Sequence, residues 1–221
     1  MSKEPISLRF SFAQAAQGWI AGFADYPEGE EKFYELKSGI EPMPPDLGLP
    51  GNGFLLSGNN HSDDLFMFLK RRLGPAEGLV PRAEYRFRFF LEFASDAPTG
   101  GFGIGGAPGE SVFLKAGAST IEPRAVNKDG FLRMDVDKGN QAQGGPAAST
   151  AGNIANGRPA DEPWRYVLLR KEHEHRREHG EPYIIRADDE GTLWLLIGTD
   201  SGFEGPTTLF YREFRVELSP V

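Results

Sequence analysis

The sequence contains no cysteine, no long hydrophobic run and no excess of basic residues. The absence of cysteine excludes disulfide bonds, thiolate zinc sites, iron–sulfur ligation and cysteine nucleophiles. The longest apolar runs, 65–69 and 193–197, are far shorter than the roughly 20 residues that a membrane-spanning helix needs. With 32 acidic against 24 basic residues, the formal net charge is −8, which argues against DNA or RNA as a main partner.

Glycine and proline are abundant, with 28 and 17 residues among 221. Both interrupt helices, so the sequence is not that of a helical bundle. Apolar and polar residues alternate over 6–12 and 85–93, as in strands with one face on a core and one in water. Roughly ten strand segments, separated by turn residues, predict one all-β domain over residues 1–221, a two-sheet antiparallel β-sandwich with little helix.

Two segments are open to more than one interpretation. Over 62–74, Ser62 is a suitable helix cap, but Phe66 and Phe68 fit a strand, and we favour the strand. Residues 139–163 are rich in Gly, Ala, Asn and Pro and show little periodicity. This composition predicts a long surface loop, a kind of segment that often carries function.

Two motifs match known signatures but lack their structural context. Residues 101–106 satisfy G-x-G-x-x-G, yet 111–115 is a predicted strand and not the helix that binds a dinucleotide phosphate. Residues 175–179 satisfy the H-x-x-E-H pattern of zinc peptidases, but 170–180 has no apolar side chain that a catalytic helix would bury. We predict a solvated connection whose three histidines are dispensable: His173, His175 and His179.

A dense polar stretch at 58–64 lies between two apolar strands. Its amide, imidazole and carboxylate groups suit hydrogen bonding to sugar hydroxyls, although a self-stabilised polar turn explains them equally well. Acids near the end of the strand at 131–136 offer oxygen ligands of the kind that Ca²⁺ prefers, with a solvated turn as the alternative. The candidate ligand-binding residues are Asn59, Asn60, His61, Asp63, Asp64 and Asn140, and the candidate Ca²⁺ ligands are Asp135 and Asp137.

Aromatic residues supply both the core and potential binding platforms. Phe87 and Phe89 alternate with polar residues, and Trp194 lies in an apolar strand, which predicts that all three are core residues. Trp19 and Trp164 lie beside predicted loops, where a tryptophan either packs on the core or stacks on a sugar ring.

Three stretches resemble the galactose-binding-like, jelly-roll carbohydrate-binding modules of bacteria. They are a Gly-Trp pair at 18–19, a Gly-Leu-x-Pro-x-x-x-Tyr pattern at 78–85, and the closing segments 193–195 and 209–216. The resemblance implies a jelly-roll sandwich that binds a carbohydrate. Many such modules have an aspartate next to a structural Ca²⁺ after the last aromatic pair, whereas this sequence has Arg212.

The polar stretch 58–64 and the segment 137–141, Asp-Lys-Gly-Asn-Gln, also resemble uncharacterised bacterial envelope proteins, often lipoproteins. This resemblance implies an exported, periplasmic or lipoprotein-like location. The residues after Met1 contain no apolar signal region, so the expectation is an exported protein whose leader was removed or, otherwise, a cytoplasmic one.

Three functions compete at this point. The leading one is a non-catalytic module that binds a carbohydrate or another polar ligand through loops of the sandwich. The second is a structural or assembly protein of the bacterial envelope. The third is a glycan hydrolase or lyase that uses carboxylates and His61. We expect no nucleic-acid partner, no transmembrane segment and no cofactor other than Ca²⁺.

Overall fold

The computed structural model describes residues 4–221, which are built of antiparallel strands joined by turns and loops. The strands are β1 (Ile6–Ser11), β2 (Ile20–Ala24), β3 (Tyr26–Pro27), β4 (Lys37–Pro42), β5 (Asn52–Asn59), β6 (Leu65–Leu73), β7 (Glu84–Ser95), β8 (Val112–Ser119), β9 (Ala125–Lys128), β10 (Phe131–Met134), β11 (Ser149–Asn153), β12 (Val167–Glu174), β13 (Ile185–Arg186), β14 (Leu193–Ser201) and β15 (Pro206–Pro220). The all-β prediction is confirmed, and β6 confirms the strand interpretation of 62–74.

Helical structure in residues 4–221 is limited to two single 3-10 turns, Pro45–Leu47 and Pro75–Glu77. Each begins with a proline at its first position and ends at a glycine in the left-handed region. In this part of the chain, no helix is long and apolar enough to cross a membrane.

The strands form three antiparallel sheets. The seven-stranded sheet has the order β12-β7-β15-β5-β4, with β1 paired to β15 and β13 paired to β7. The five-stranded sheet has the order β11-β8-β14-β6-β2, and a small third sheet has the order β3-β10-β9. The two large sheets form the predicted sandwich, and the small sheet covers part of the outer face of the five-stranded one.

The main core lies between the two large sheets. In β7, Phe87 and Phe89 are at most 1% exposed, which confirms both as core residues. Trp19 is also buried and packs edge-to-face on Phe214, with 5.0 Å between the ring centroids. Aromatic pairs in this arrangement contribute more than their buried area alone.

Trp194 differs from its predicted place. Leu193 and Leu195 point into the main core, so Trp194 between them points to the outer face, since side chains alternate along a strand. It is only partly buried there, and the ammonium of Lys70 lies 5.6 Å from its ring centroid. The core prediction for Trp194 is therefore wrong.

The outer face of the five-stranded sheet carries a second buried cluster. Phe66 and Phe68 of β6 pack there with Leu196 of β14, under Met134 and Val136 of the covering segment. The central strands of this sheet are therefore buried on both faces, which explains their near-continuous apolar sequence. Charged side chains at the end of this buried face form the site described below.

The segment 139–163 is not a continuous loop. It contains β11, which pairs with β8 through a bulge between Thr150 and Gly152. The rest has no regular structure but is not all at the surface, since Ala148 and Ile154 on either side of β11 are buried in the two hydrophobic clusters.

The histidine segment is not a solvated connection. β12 extends to Glu174 and pairs with β7, so His173 lies opposite Phe89, and His175 is fully buried. Ser149 contacts both rings, with Oγ 2.7 Å from His173 Nε2 and 2.8 Å from His175 Nδ1. Of the three histidines, His179 alone is exposed, as predicted.

Candidate functional site

Loops that are distant in sequence meet at one end of the sandwich. The side-chain amide of Gln141 donates to the carbonyl of Asp63 over 2.8 Å, which joins the 59–64 loop to the 135–141 turn. A glycine-rich loop packs against the 59–64 loop, and a Cβ on Gly105 would lie 3.2 Å from Oδ1 of Asp63. The structure thus brings together the two polar clusters that the sequence analysis selected.

Three aspartates converge beneath these loops. Carboxylate oxygens of Asp25, Asp64 and Asp200 lie within 4.8 Å of one another, close enough to hold a metal ion. Asp25 follows β2, Asp64 precedes β6, and Asp200 lies on β14. β2 and β14 both pair with β6, so the sheet itself brings the three acids together.

Three basic side chains balance these charges. The ammonium of Lys138 lies 2.8 Å from Asp200 and 3.1 Å from Asp25. The guanidinium of Arg133 lies 3.0 Å from Asp64 and 3.4 Å from Asp25. Lys115 is 3.8 Å from Asp200 and fully buried. Three carboxylates and three cations make the cluster formally neutral, and burial of so many charges requires this pairing.

Burial and neighbouring charges shift the pKa of several of these groups. Burial, with the added repulsion of Asp25, raises the pKa of Asp64 to about 6. Burial lowers the pKa of Lys115 to about 8, although Asp200 opposes the shift. Burial alone would lower the pKa of Lys138, but the attraction of Asp200 and Asp25 exceeds that effect and raises it. Lys138 is therefore the firmly charged cation at the centre.

An open cavity of about 360 Å³ lies above the cluster. Its wall includes Asp64, Asp137 and Asn140, three of the residues selected from the sequence, together with Arg133 and Lys138. Oδ1 of Asp64 and Oδ1 of Asp200 are buried and have no hydrogen-bond partner among the described residues. The hydrogen-bonding wall that the cavity presents to a polar ligand is therefore made by other side chains, those of Asp137, Asn140 and Arg133.

The remaining residues of the 59–64 loop have different surroundings. Asn60 is buried, and its amide nitrogen donates to the carbonyls of Ser201 and Phe203, both over 2.9 Å. Its oxygen accepts from the backbone N–H of Ser62 over 3.1 Å. Asn60 is thus a structural anchor for the loop, and ligand binding through this residue stays a prediction.

His61 forms part of an exposed aromatic surface. Its ring stacks on Phe33, with 4.2 Å between the centroids, and Phe33 is 58% exposed. Beside the pair, the amide of Asn59 donates to the carboxylate of Glu35 over 3.0 Å. We call Phe33, His61, Asn59 and Glu35 the ring platform. Sequence analysis selected Asn59 and His61 but missed Phe33 and Glu35, whose only signal is an acidic, glycine-containing loop around an aromatic pair.

Backbone strain concentrates at this end of the molecule. Seven non-glycine residues between 4 and 221 have positive φ angles, and four of them belong to the loops described here: Asp25, Glu35, Asp63 and Gln141. This left-handed conformation is unfavourable for most residues and persists where the surroundings enforce it. Such positions are common at binding sites.

The candidate Ca²⁺ ligands are both exposed and point away from the core on either side of buried Val136. Asp135 accepts the backbone N–H of Arg124 over 2.7 Å, and Asp137 accepts that of Gly139 over 2.9 Å. The acids that do converge are those around Asp64. Asp25 and Asp200 were missed because each is a single acid near a strand end with no local motif.

Comparisons with known proteins give structural similarities only: no family model and no curated protein matches the chain. The CBM22-1 xylan-binding domain of Paenibacillus barcinonensis Xyn10C is 13% identical, with a TM-score of 0.40, over 100% of this chain and 97% of that one. The K1 cleaved adhesin domain of Porphyromonas gingivalis Lys-gingipain is 12% identical, with a TM-score of 0.39, over 96% and 97%.

A third similar structure is TmCBM61 in complex with β-1,4-galactotriose. It is 8% identical, with a TM-score of 0.35, over 90% of this chain and 86% of that one. Carbohydrate-binding modules are therefore among the structures that this chain is similar to, as the sequence resemblance implied. At these scores the similarity carries no argument about the site, which rests on the geometry described above.

Proposed function

We propose that this chain is a non-catalytic module that binds a carbohydrate through the ring platform and the adjoining loops. The observation that carries the proposal is the exposed stack of Phe33 and His61 beside the amide of Asn59 and the carboxylate of Glu35. The apolar face of a sugar ring packs on an aromatic face, while its hydroxyls need nearby donors and acceptors. The ring platform supplies both.

The cavity above the three aspartates offers additional polar contacts at the same end of the sandwich. Asn140 and Asp137 are exposed on its wall, and the amide of Asn140 and Oδ2 of Asp137 can contact hydroxyl groups of an extended ligand. Their short side chains lose little conformational entropy when a ligand orders them.

The charge balance favours binding over glycoside hydrolysis. A glycosidase needs one carboxylate that acts as a nucleophile or general base and a second carboxyl group that donates a proton. Here Asp25 and Asp200 are paired with Lys138, and Asp64 is paired with Arg133. These pairings hold the acids in a structural network.

The charge balance of the aspartate cluster also argues against Ca²⁺ binding there. The three aspartates offer a suitable oxygen set, but the ammonium of Lys138 already lies within 3.1 Å of Asp25 and Asp200. A divalent ion added to a formally neutral, largely buried cluster would leave an uncompensated charge of +2. We therefore propose that Lys138 supplies the positive charge and that carbohydrate binding does not require Ca²⁺. Binding that is lost in EDTA and restored by Ca²⁺ would contradict this part of the proposal.

A glycan microarray followed by calorimetric titration of the strongest hit tests the function. We expect Phe33→Ala to weaken binding about tenfold, because it removes the larger ring of the stack. The melting temperature should change little, since substitutions at exposed positions usually alter stability by less than about 0.5 kcal/mol.

Trp164→Ala is the matched control, because Trp164 is 50% exposed and carries no part of the ring platform. Its affinity should equal that of the parent protein. If Trp164→Ala abolishes binding and Phe33→Ala does not, the ligand binds on the 159–166 surface. If no glycan binds, the carbohydrate-binding function is wrong.

A further inference from the structure

We propose that the ring platform selects its ligand by charge: it takes neutral or amine-bearing sugars and rejects sugars that carry carboxylates or sulfates. This inference rests on the proposed function. It concerns the chemical class of the ligand, and the observation behind it is the distribution of charge around Phe33 and His61.

The loop that carries Phe33 is strongly acidic. Between residues 28 and 35 it contains four glutamates and one lysine, so its formal charge is −3. All five charged side chains are exposed: Glu28, Glu30, Glu31, Lys32 and Glu35. This loop alone carries a large part of the chain's net charge of −8.

Within residues 4–221, no cationic side chain forms an ion pair with these glutamates. Among the ion pairs of residues 4–221, none includes a glutamate of this loop. Their polar contacts are neutral: Glu35 accepts from Asn59, Glu28 accepts from Asn127, and Glu31 lies 3.4 Å from the hydroxyl of Tyr26. The negative potential of the loop is therefore not cancelled locally.

Basic groups nearby do not supply the missing charge. Arg133 and Lys138 are engaged with the buried aspartates. The adjoining turn contributes Lys128 and Asp129, which offset each other, and exposed Lys37, two residues after Glu35, is offset by exposed Asp63, two residues after His61. On the outer face of the seven-stranded sheet the pattern is different, since a groove there is lined by three arginines and three glutamates: Arg86, Arg88, Arg176, Glu172, Glu174 and Glu217.

The expected size of the effect follows from Coulomb's law. In water, a like charge about 8 Å away weakens binding about twofold, and a net charge of three therefore weakens it about tenfold. Physiological salt has a screening length of about 8 Å, so the discrimination should shrink as salt is added. An ammonium group on the sugar is attracted by the acidic loop, so an amine-bearing sugar should bind more tightly under the same low-salt conditions.

Three β-1,4-linked hexaoses of gluco configuration provide matched probes, together with the array hit itself. At pH 5.5, below the pKa of the sugar amines and above that of the uronic carboxyls, cellohexaose is neutral, glucosamine hexaose is cationic, and glucuronic acid hexaose is anionic. If the protein binds glycans of this backbone, we expect the anionic hexaose to bind about tenfold more weakly than the neutral one at low ionic strength. The same comparison applies to neutral and anionic forms of the array hit. The cationic member should bind at least as well as the neutral one, and 0.5 M NaCl should bring the three together.

The double variant Glu30→Gln/Glu31→Gln tests the cause. It removes two charges from the loop and should raise the affinity for anionic sugars several-fold at low salt while leaving neutral binding unchanged. Glu178→Gln/Glu181→Gln is the matched control, because both glutamates are exposed and lie on the distant β12–β13 connection. It should change neither affinity.

The outcomes separate this inference from the function on which it rests. Preferred binding of uronic or sulfated glycans, lost in Phe33→Ala, would overturn the charge selectivity and leave carbohydrate binding intact. Equal affinity for all three charge classes at low salt would also overturn it. Binding to no glycan of any class would overturn the proposed function and, with it, this inference.

Discussion

The ammonium nitrogen of Lys138 lies 2.8 Å from a carboxylate oxygen of Asp200, and the two side chains are 6% and 0% exposed. The residues are 62 positions apart in the sequence, and their ion pair joins the 135–141 turn to β14 of the five-stranded sheet. Lys138 also lies 4.9 Å from the ring centroid of Phe66. It therefore fastens the turn that carries Asp137 and Asn140 to the outer face of the sandwich.

Replacing Lys138 with methionine should destabilise the protein strongly. The change keeps the length of the side chain but leaves Asp200 and Asp25 with an uncompensated buried charge, and breaking such a pair typically costs about 3–5 kcal/mol. Urea unfolding at neutral pH measures the free energy difference. Lys37→Met serves as the control, because Lys37 is exposed on an outer strand and should change stability by less than about 0.5 kcal/mol.

Two acids of the same cluster should respond differently to neutralisation. The raised pKa of Asp64, about 6, means that folding favours its protonated form. Its stabilising contribution is complete below the unfolded pKa of 3.8 and is lost as the pH rises through 6. At pH 7.5, Asp64→Asn should therefore retain or increase the free energy of unfolding.

Asp200→Asn should instead lower the free energy of unfolding, because it removes the buried counter-charge of Lys138 and Lys115. Urea unfolding of both variants at pH 7.5 makes the comparison. Equal losses of unfolding free energy in the two variants would contradict this prediction, because they would mean that the charge of Asp64 stabilises the fold as much as the charge of Asp200.

Local patterns in the sequence were sufficient to predict the all-β class and several strands, but not every strand. The alternation of Phe87 and Phe89 with arginines identifies β7, and aromatic residues at 66 and 68 identify β6 despite a competing helix cap. The strand β11 was missed because Ser-Thr-Ala-Gly-Asn has no alternation of its own. It forms because the edge of β8 offers unpaired backbone groups.

The site was only half predictable from the sequence, for a related reason. The polar loop 59–64 can be recognised in the sequence by its density of amides and carboxylates. The partners of Asp64 do not, since Arg133 is 69 positions away and is an ordinary residue of a strand. Long-range pairing of single charges leaves no local signal.

Truncation of a core aromatic in β7 should cost far more than truncation of its neighbour. Phe89 is fully buried, and Phe89→Ala should lower the free energy of unfolding by about 3–5 kcal/mol. Phe90 points to the opposite face, where the guanidinium of Arg215 lies 3.7 Å from its ring centroid, and Phe90→Ala should cost clearly less. Thermal melts and urea unfolding of the pair check the strand register. Similar losses would mean that the assigned inward face is wrong.

Acid should destabilise the protein through the buried histidines. Burial lowers the pKa of His175 to about 4, with a smaller opposing effect from the carbonyl of Pro146, and burial with Arg176 lowers that of His173 to about 4. Unfolding returns each ring to about 6.5, so the unfolded chain binds more protons between pH 6.5 and 4. Stability is therefore complete above pH 6.5 and falls as the pH approaches 4, by about 2–4 kcal/mol for His175.

The variant His175→Gln isolates this effect, because glutamine is not titratable and retains hydrogen-bonding groups for Ser149 and Pro146. We expect a lower stability at pH 7.5 but a shallower dependence on pH between 6.5 and 4. His179→Gln is the control, since His179 is exposed on the same segment and should leave the dependence unchanged. Urea unfolding at half-unit pH intervals gives both slopes. If the slope of His175→Gln matches that of the parent, the acid sensitivity arises from groups other than this buried ring.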